Sequence, residues 1–175
     1  MPYSDPANKP WTAEKIKEIN PSTVLDVGAG AGVYLDIIRE QLGNGVVVVA
    51  LEVWEPNISK FNLDKRYDKV INEDVRKVEN FDYDLVIFVD VLEHMSEADA
   101  VELWDRVSKQ ARAAIISIPI IHYHQDAHEG NPYEIHVEED WSPERVKNAF
   151  SHIVESKEFE VTGVYVARFQ DVVNS

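Results

Sequence analysis

The stretch Val24-Leu25-Asp26-Val27-Gly28-Ala29-Gly30-Ala31-Gly32 decides the architecture of this chain. It begins as an apolar strand, continues into three glycines at alternate positions, and is followed at once by apolar residues at helical spacing. Glycine lets a backbone turn sharply and approach a ligand closely, because it carries no Cβ. A strand, a glycine turn and a helix N-terminus form the nucleotide cradle of open α/β sheets. The stretch therefore predicts a binding site at the end of the first strand.

Strand and helix patterns alternate along the rest of the chain, as in a parallel sheet with right-handed crossovers. Helical patterns begin at Thr12, Gly32, Asn57, Ser96 and Ser142. The predicted strands cover residues 23–27, 45–51, 69–72, 84–89, 113–118, 153–160 and 163–169. The last two are joined tightly enough to be antiparallel. We predict an α/β, Rossmann-like three-layer sandwich with a mostly parallel seven-stranded sheet and a C-terminal antiparallel hairpin.

Two segments fall outside this alternation. Residues 1–11 carry three prolines and are predicted to be irregular, with Thr12 as the cap of the first helix. Residues 119–140 show no clear period, and a loop of this length inside a compact domain is usually a lid or a binding loop. We interpret residues 1–175 as one domain, with residues 119–140 as its active-site loop.

The composition restricts the classes of partner. The formal net charge is −15, which repels phosphate backbones and disfavours nucleic acid as a partner. No run of about 18 apolar residues is present, so we expect no membrane span. The chain has no cysteine and no signal-peptide pattern, and both facts favour a cytoplasmic location.

Acidic residues follow the predicted strands, where ligands of such sheets bind. Glu52 closes the second strand, and a carboxylate there is placed to accept hydrogen bonds from ribose hydroxyls. Asp74 ends the third strand and is a candidate acceptor for an adenine amino group. Asp26 precedes the glycines and is a candidate partner for a cationic or amino group. The glycine spacing fits a dinucleotide fingerprint poorly, because Val33 stands where a third glycine or an alanine is wanted.

This ordered set resembles the class I S-adenosylmethionine-dependent methyltransferases. Residues 24–32 are similar to the first motif of that family, and Glu52 and Asp74 fall at its ribose-binding and adenine-binding acids. Residues 81–95, Phe-Asp-Tyr-Asp-Leu-Val-Ile-Phe-Val-Asp-Val-Leu-Glu-His-Met, resemble its fourth-strand motif. The similarity covers about residues 12–120.

The resemblance implies that S-adenosyl-L-methionine is the cofactor, S-adenosyl-L-homocysteine the product and a small molecule the methyl acceptor, with the protein a monomer or homodimer. Residues 130–136 and 141–143 also resemble loops of members that act on small molecules. The implied and predicted cofactor-binding residues together are Asp26, Gly28, Ala29, Gly30, Glu52, Val53, Asp74, Val75, Asp90 and Val91.

Methyl transfer from a sulfonium is an in-line displacement, so a base is needed only if the acceptor must lose a proton. Asp90, His94 and His136 are the candidate catalytic residues. The same loop also carries His122, His124 and His128, each more simply read as a solvated side chain. Oxygen and nitrogen donors at Asp90, Glu93, His94 and His136 would suit a metal. We nevertheless assign no metal here, because Asp-x-Leu-Glu-His is frequent in members without one.

Three alternatives stay open at this point. The chain could bind S-adenosylmethionine without catalysis, since it carries no separate substrate-recognition domain. A nicotinamide oxidoreductase is a second alternative, against which Val33 and the Asp90–His94 motif argue. Methylation of a protein or nucleic acid is a third, and the negative charge makes nucleic acid the less favoured macromolecule.

Overall fold

One seven-stranded sheet forms the centre of the computed structural model, which describes residues 6–169. The strands are β1 (Thr23–Val27), β2 (Val47–Leu51), β3 (Lys69–Ile71), β4 (Leu85–Val89), β5 (Ala113–Pro119), β6 (Ile153–Glu158) and β7 (Thr162–Arg168). Their order across the sheet is β3-β2-β1-β4-β5-β7-β6. Strands β1 to β5 pair in parallel: β1 with β2 and β4, β2 with β3, and β4 with β5. Strand β7 runs antiparallel to both β5 and β6. The predicted fold class is confirmed.

Helices connect the strands close to the predicted positions. They are α1 (Lys9–Ile19), α2 (Val33–Leu42), α3 (Glu55–Lys60), α4 (Leu63–Arg66), α5 (Glu97–Ser108) and α6 (Pro143–Ala149). The side chains of Ser96 and Ser142 accept hydrogen bonds from the first turns of α5 and α6, as predicted for N-caps. None of the helices within residues 6–169 combines the length and the hydropathy needed to cross a bilayer.

The start of α1 differs from the prediction. The helix begins at Lys9, so residues 9–11 are helical; residues 1–5 of the predicted irregular segment lie outside the described part of the chain. Asn8, not Thr12, is the N-cap residue, and the Thr12 hydroxyl lies inside the helix, donating to the Asn8 carbonyl. The buried Asn8 amide donates to Ser117 Oγ at 3.0 Å and to Thr162 Oγ1 at 3.1 Å. These long-range contacts, invisible to a local pattern, fix where the helix starts.

The segment after β2 also differs, because two short helices replace the single helix predicted over residues 57–64. Asn62 separates α3 from α4 and adopts a left-handed conformation with φ 53°. Asparagine tolerates this conformation better than most residues do. The break sends Leu63 into the core and places Arg66 against the glycine turn, where its guanidinium donates to the carbonyls of Ala31 and Gly32.

Apolar layers cover both faces of the sheet. On one face, α1, α2 and α4 bury residues such as Ile16, Ile38 and Leu63 against alternate strand positions. On the other face, Trp104 and Phe150 pack against the strand side chains that point away from α1, α2 and α4. A sheet buried on both faces explains the continuous apolar runs of β2, β4 and β5.

The carboxyl ends of the parallel strands meet at one edge of the sheet. Val27 lies opposite both Leu51 and Phe88 in register, and Leu51 lies opposite Ile71. Residues 120–140 run across this edge without a helix or strand of more than three residues. They contain a bridge between His128 and Asn131 and a short 3-10 turn at Pro132–Glu134. The segment is therefore a loop, as predicted.

Candidate active site

A cleft of about 1010 Å³, including the space at its mouth, lies at this edge of the sheet. Its walls come from the segments that follow β1, β2, β3 and β4 and from the loop after β5. All ten predicted cofactor-binding residues line the cleft: Asp26, Gly28, Ala29, Gly30, Glu52, Val53, Asp74, Val75, Asp90 and Val91. Of the candidate catalytic residues, Asp90 and His94 line it, whereas His136 does not.

The glycine turn forms the floor of the cleft. Gly28 has φ +69°, and a Cβ built there would lie 2.7 Å from the Cγ2 atom of Val91. Only glycine therefore permits both the left-handed conformation and the close approach of β1 to the end of β4. The Gly28 N–H donates to the Leu51 carbonyl at 2.8 Å, which joins the turn to the end of β2.

Glu52 lies deep in the cleft and holds the turn in place. Its two carboxylate oxygens accept hydrogen bonds from the N–H groups of Gly30 at 2.9 Å and Trp54 at 2.8 Å, and the Asn57 side chain bonds to it as well. Burial raises the pKa of the Glu52 carboxyl, and these hydrogen bonds oppose the rise. A carboxylate offers about four lone-pair sites, so one site of Glu52 is left to accept from a ligand.

Asp26 and Asp74 differ in environment. Asp26 is buried and accepts a 2.6 Å hydrogen bond from the Tyr67 hydroxyl; burial raises the pKa of its carboxyl to about 7. Asp74 instead accepts from the Arg76 guanidinium at 2.5 Å, and that contact lowers the pKa of the Asp74 carboxyl. Asp74 is therefore ionised at neutral pH, whereas Asp26 is close to half protonated.

The charge of the cleft is strongly one-sided. Six carboxyl groups line it: those of Asp26, Glu52, Glu73, Asp74, Asp90 and Glu134. Among the described residues of the lining, Arg76 is the one guanidinium, and it is paired with Asp74; no lysine takes part. Such a cleft suits a ligand with positive charge and repels a diphosphate.

The end of β4 brings carboxyl and imidazole groups together. Asp90 adopts a left-handed conformation with φ 51°, and a short 3-10 turn at Leu92–His94 follows it. The Glu93 side chain is buried, and the rings of His94 and His136 lie 5.0 Å apart between centroids. The structure therefore places His136 beside His94 but behind the cleft wall.

These groups have displaced pKa values. Burial lowers the pKa of His94 to about 4 and also lowers that of His136, so both rings are neutral at pH 7. Burial and the nearby Asp90 carboxylate raise the pKa of Glu93 well above its ordinary value. The cluster thus collects two neutral imidazoles beside one carboxyl group, that of Glu93, which resists ionisation.

The other loop histidines lie elsewhere. His122 pairs with Asp140 at 2.8 Å and His124 with Glu139 at 2.5 Å, on exposed surface. His128 is exposed as well. The structure does not bring these three into the cleft, in keeping with their reading as solvated side chains.

Several residues of the wall were not predicted. Tyr34, Asn57, Asn131, Tyr133 and Glu134 line the cleft, but none of them was predicted as a site residue, although the last three lie in the stretch 130–136 that resembles family loops. The turn at Asn131-Pro132 was a usable signal, because the Asn131 side chain accepts from Tyr133 N and caps the short turn that carries Tyr133 and Glu134. Tyr133 lies against Trp54, with ring centroids 6.2 Å apart, and so connects the loop to the segment after β2.

A family model described as "Methyltransferase domain" matches residues 10–115. The chain belongs to this methyltransferase family. The match contains the glycine turn, Glu52, Asp74 and the motif at the end of β4, so the resemblance seen in the sequence is confirmed. It ends before the loop that carries His136. A search of curated protein sequences found no significant match.

Solved structures share the fold of this methyltransferase at low sequence identity. The N-terminal domain of EvdMO1, crystallised in the presence of SAH and D-fucose, aligns with a TM-score of 0.68 and 16% identity over 95% of this chain and 85% of that chain. The PH0226 protein from Pyrococcus horikoshii OT3 aligns with a TM-score of 0.68 and 16% identity over 93% and 88%. Magnesium protoporphyrin IX methyltransferase (ChlM) from Synechocystis PCC 6803, with bound SAM, aligns with a TM-score of 0.66 and 15% identity over 94% and 79%.

Proposed function

We propose that this methyltransferase binds S-adenosyl-L-methionine in the cleft and transfers its methyl group in line to a small-molecule acceptor, leaving S-adenosyl-L-homocysteine. One observation carries the proposal: a single negatively charged cleft is lined by the glycine turn, Glu52, Asp74, Asp90 and His94. The cofactor carries a sulfonium and an ammonium group but no phosphate, and the excess of carboxylates fits that charge. A nicotinamide dinucleotide fits poorly, since its diphosphate would face the same carboxylates.

Each part of the cleft has a proposed role toward the cofactor. Glu52 accepts from a ribose hydroxyl with its remaining lone pair, and Asp74 accepts from the adenine amino group. Asp26 lies near the ammonium end. The remaining proposed contacts are the backbone of the glycine turn and the walls beside it, formed by Gly28, Ala29, Gly30, Val53, Val75, Asp90 and Val91.

The bound cofactor supplies a methyl group on a sulfonium, which is a good leaving group. The protein contributes position: holding donor and acceptor in line supplies most of the acceleration. Asp90 and His94 are the proposed catalytic residues, because they are the two candidates that line the cleft. His136 acts through His94 as a positioning residue, since its ring lies 5.0 Å from that of His94 and outside the lining.

A small-molecule acceptor is supported by the shape and charge of the site. The loop after β5 covers the cleft, with Asn131, Tyr133 and Glu134 in its wall. The net charge of −15 disfavours nucleic acid. Two of the similar proteins are associated with small molecules: the N-terminal domain of EvdMO1 was crystallised in the presence of D-fucose, and ChlM is a magnesium protoporphyrin IX methyltransferase. A single domain over residues 1–175, a monomeric or homodimeric state and a cytoplasmic location stay predictions.

Substitution of Glu52 tests the proposal. We expect Glu52→Ala to weaken the binding of S-adenosyl-L-homocysteine by about 1.5–3 kcal/mol, because a charge-assisted hydrogen bond to ribose is lost. Isothermal titration calorimetry measures the effect as a loss of roughly tenfold to a hundredfold in Kd.

Glu55→Ala is the matched control, because Glu55 is an exposed acid three residues away that does not line the cleft. Its affinity should equal that of the wild type. Circular dichroism establishes that both variants are folded. If Glu52→Ala binds as tightly as the control, the ribose assignment is wrong. If the wild type binds neither S-adenosyl-L-methionine nor its product, the proposed function fails as a whole.

A further inference from the structure

Three side chains at the end of β4 and on the loop converge on one point. Glu93, His94 and His136 each offer one ligand atom, and these atoms all lie within 4.8 Å of one another. Two come from the 3-10 turn after β4, whereas the third is 42 residues further along the chain. Folding therefore assembles a cluster that no local motif contains.

Both imidazoles are oriented by backbone carbonyls. The Nδ1 atom of His94 lies 3.0 Å from the Ile135 oxygen, and that of His136 lies 2.7 Å from the Tyr123 oxygen. A carbonyl only accepts, so each Nδ1 must carry the proton and each Nε2 is left with a lone pair. Metal-binding histidines are typically held in this way, with one ring nitrogen bonded to a carbonyl and the other directed at the ion.

Glu93 lacks the partner that a buried carboxyl group needs. Its side chain is 1% exposed, and neither of its carboxylate oxygens has a hydrogen-bond partner within residues 6–169. Buried polar groups in native proteins are nearly always hydrogen-bonded, and buried charges are paired or bound to metals. The unpartnered oxygens therefore point to a cation.

We propose that Glu93, His94 and His136 bind one divalent transition-metal ion. Two imidazole nitrogens and one carboxylate oxygen suit Zn²⁺, Co²⁺ or Fe²⁺ better than Mg²⁺ or Ca²⁺, which prefer oxygen ligands throughout. The assignment replaces the expectation, drawn from the sequence, that this motif holds no metal. The sequence did not show that His136 lies next to Glu93 and His94.

The ion would lie at the wall of the cleft, because His94 belongs to both the cluster and the lining. Three protein ligands leave at least one coordination position open. An acceptor with an oxygen donor would fill such a position. This role of the acceptor rests on the proposed function, whereas binding of the ion does not.

The test is a titration of the full chain, freed of any affinity tag and of metal, with Co²⁺. Calorimetry should show one equivalent bound, and the visible absorption of Co²⁺ should change as nitrogen ligands replace water. Glu93→Gln and His136→Ala should each lower the affinity by at least about tenfold, since even residues that only orient a ligand have effects of that size. His124→Ala is the control, because His124 forms an exposed histidine–acid pair on the same loop. It should bind Co²⁺ like the wild type.

Absence of binding by the wild type, or equal losses in the His124→Ala control, would overturn the proposal. Should Glu93→Gln fail to fold, His136→Ala carries the test alone. A titration with S-adenosyl-L-homocysteine on the same samples separates the two proposals. Binding of Co²⁺ without the nucleoside leaves this inference standing and removes the proposed function; binding of the nucleoside without Co²⁺ does the reverse.

Discussion

The two halves of the cleft satisfy their buried carboxyl groups in different ways. In the cofactor half, formed by the glycine turn, Glu52 and Asp74, the protein itself supplies the partners. Glu52 accepts from two backbone N–H groups, and Asp74 accepts from Arg76. In the loop half, formed by His94 in the cleft wall with Glu93 and His136 behind it, the Glu93 carboxyl has no hydrogen-bond partner among the described residues.

The difference separates what the fold needs from what a ligand needs. The hydrogen bond from Gly30 to Glu52 connects the glycine turn after β1 to the end of β2, so the protein supplies partners to this carboxylate without a ligand. The loop half leaves a buried oxygen pair and two oriented imidazoles facing one another, an arrangement that is favourable only with a further group between them. The family match covers the cofactor half but stops at residue 115, before His136.

The largest effect on stability is expected for Gly28→Ala, which changes the glycine turn of the cofactor half. The new methyl group would lie 2.7 Å from Val91 Cγ2 while the backbone keeps φ +69°. Left-handed strain and overpacking together should lower the free energy of unfolding by about 2–4 kcal/mol. Urea denaturation measures it.

A glycine in the loop after β5 supplies the control for that change. Gly130 also has a positive φ, +81°, but a Cβ there meets nothing within 4 Å, so Gly130→Ala isolates the backbone cost. A double variant Gly28→Ala, Val91→Ala should recover part of the loss. If the two single variants are equally stable, close contact with Val91 is not the reason for the glycine.

A smaller effect, with a defined pH dependence, is expected for Asp26→Asn. The folded-state pKa of Asp26, about 7, exceeds the ordinary value of 3.8, so the folded state holds its proton more tightly than the unfolded state. The wild type therefore loses stability as pH rises from about 4 to 7, and the neutral asparagine avoids that loss. Asp26→Asn should be more stable by about 2 kcal/mol at pH 8, with the gain shrinking toward pH 4.

Thermal unfolding across this pH range checks the expectation. Asp64→Asn, at an exposed position of α4, is the control and should show no such trend. His94, with its pKa lowered to about 4, works in the opposite direction over the same range, but it contributes equally to variant and wild type. A gain that is constant with pH would mean that Asp26 is ionised throughout.

The smallest effects compare the two halves directly, through the same substitution in each. Glu52→Gln places an amide N–H₂ against one of two backbone N–H donors and should lower the free energy of unfolding by about 1–2 kcal/mol. Glu93→Gln, measured at pH 8 with a chelator present, removes a carboxyl group whose ionised form burial disfavours and should raise the free energy of unfolding by about 1 kcal/mol. Chemical denaturation of the two variants gives the sign of each change in the free energy of unfolding. Equal signs would contradict the distinction between the halves.

The sequence allowed most of the cofactor half to be predicted, because its signals are local. The glycine turn, Glu52 and Asp74 each follow directly on an apolar strand, and parallel strands bring their carboxyl ends together. What could not be predicted there is the partner of each acid. The bond from Tyr67 to Asp26 spans 41 residues and depends on the break at Asn62.

The loop half was harder, since its geometry depends on how an aperiodic segment crosses the sheet edge. His136 was identified as a candidate, yet no spacing shows that it lies behind His94 and not in the cleft. Tyr133 and Glu134 lie in the stretch that resembles family loops, but no spacing shows that they line the cleft. The start of α1 was missed because its cap, Asn8, is fixed by Ser117 and Thr162, more than 100 residues away.

One carbonyl group holds the loop against the turn after β4. The Glu93 main-chain oxygen accepts from the N–H groups of both Val137 and Glu138, at 2.9 and 3.0 Å. His94 bonds to Ile135 at the neighbouring position. These consecutive attachments to a single turn cannot lengthen one at a time without tilting the whole strip of backbone. A displacement of residues 135–138 from this turn would therefore carry the His136 side chain away from Glu93 and His94.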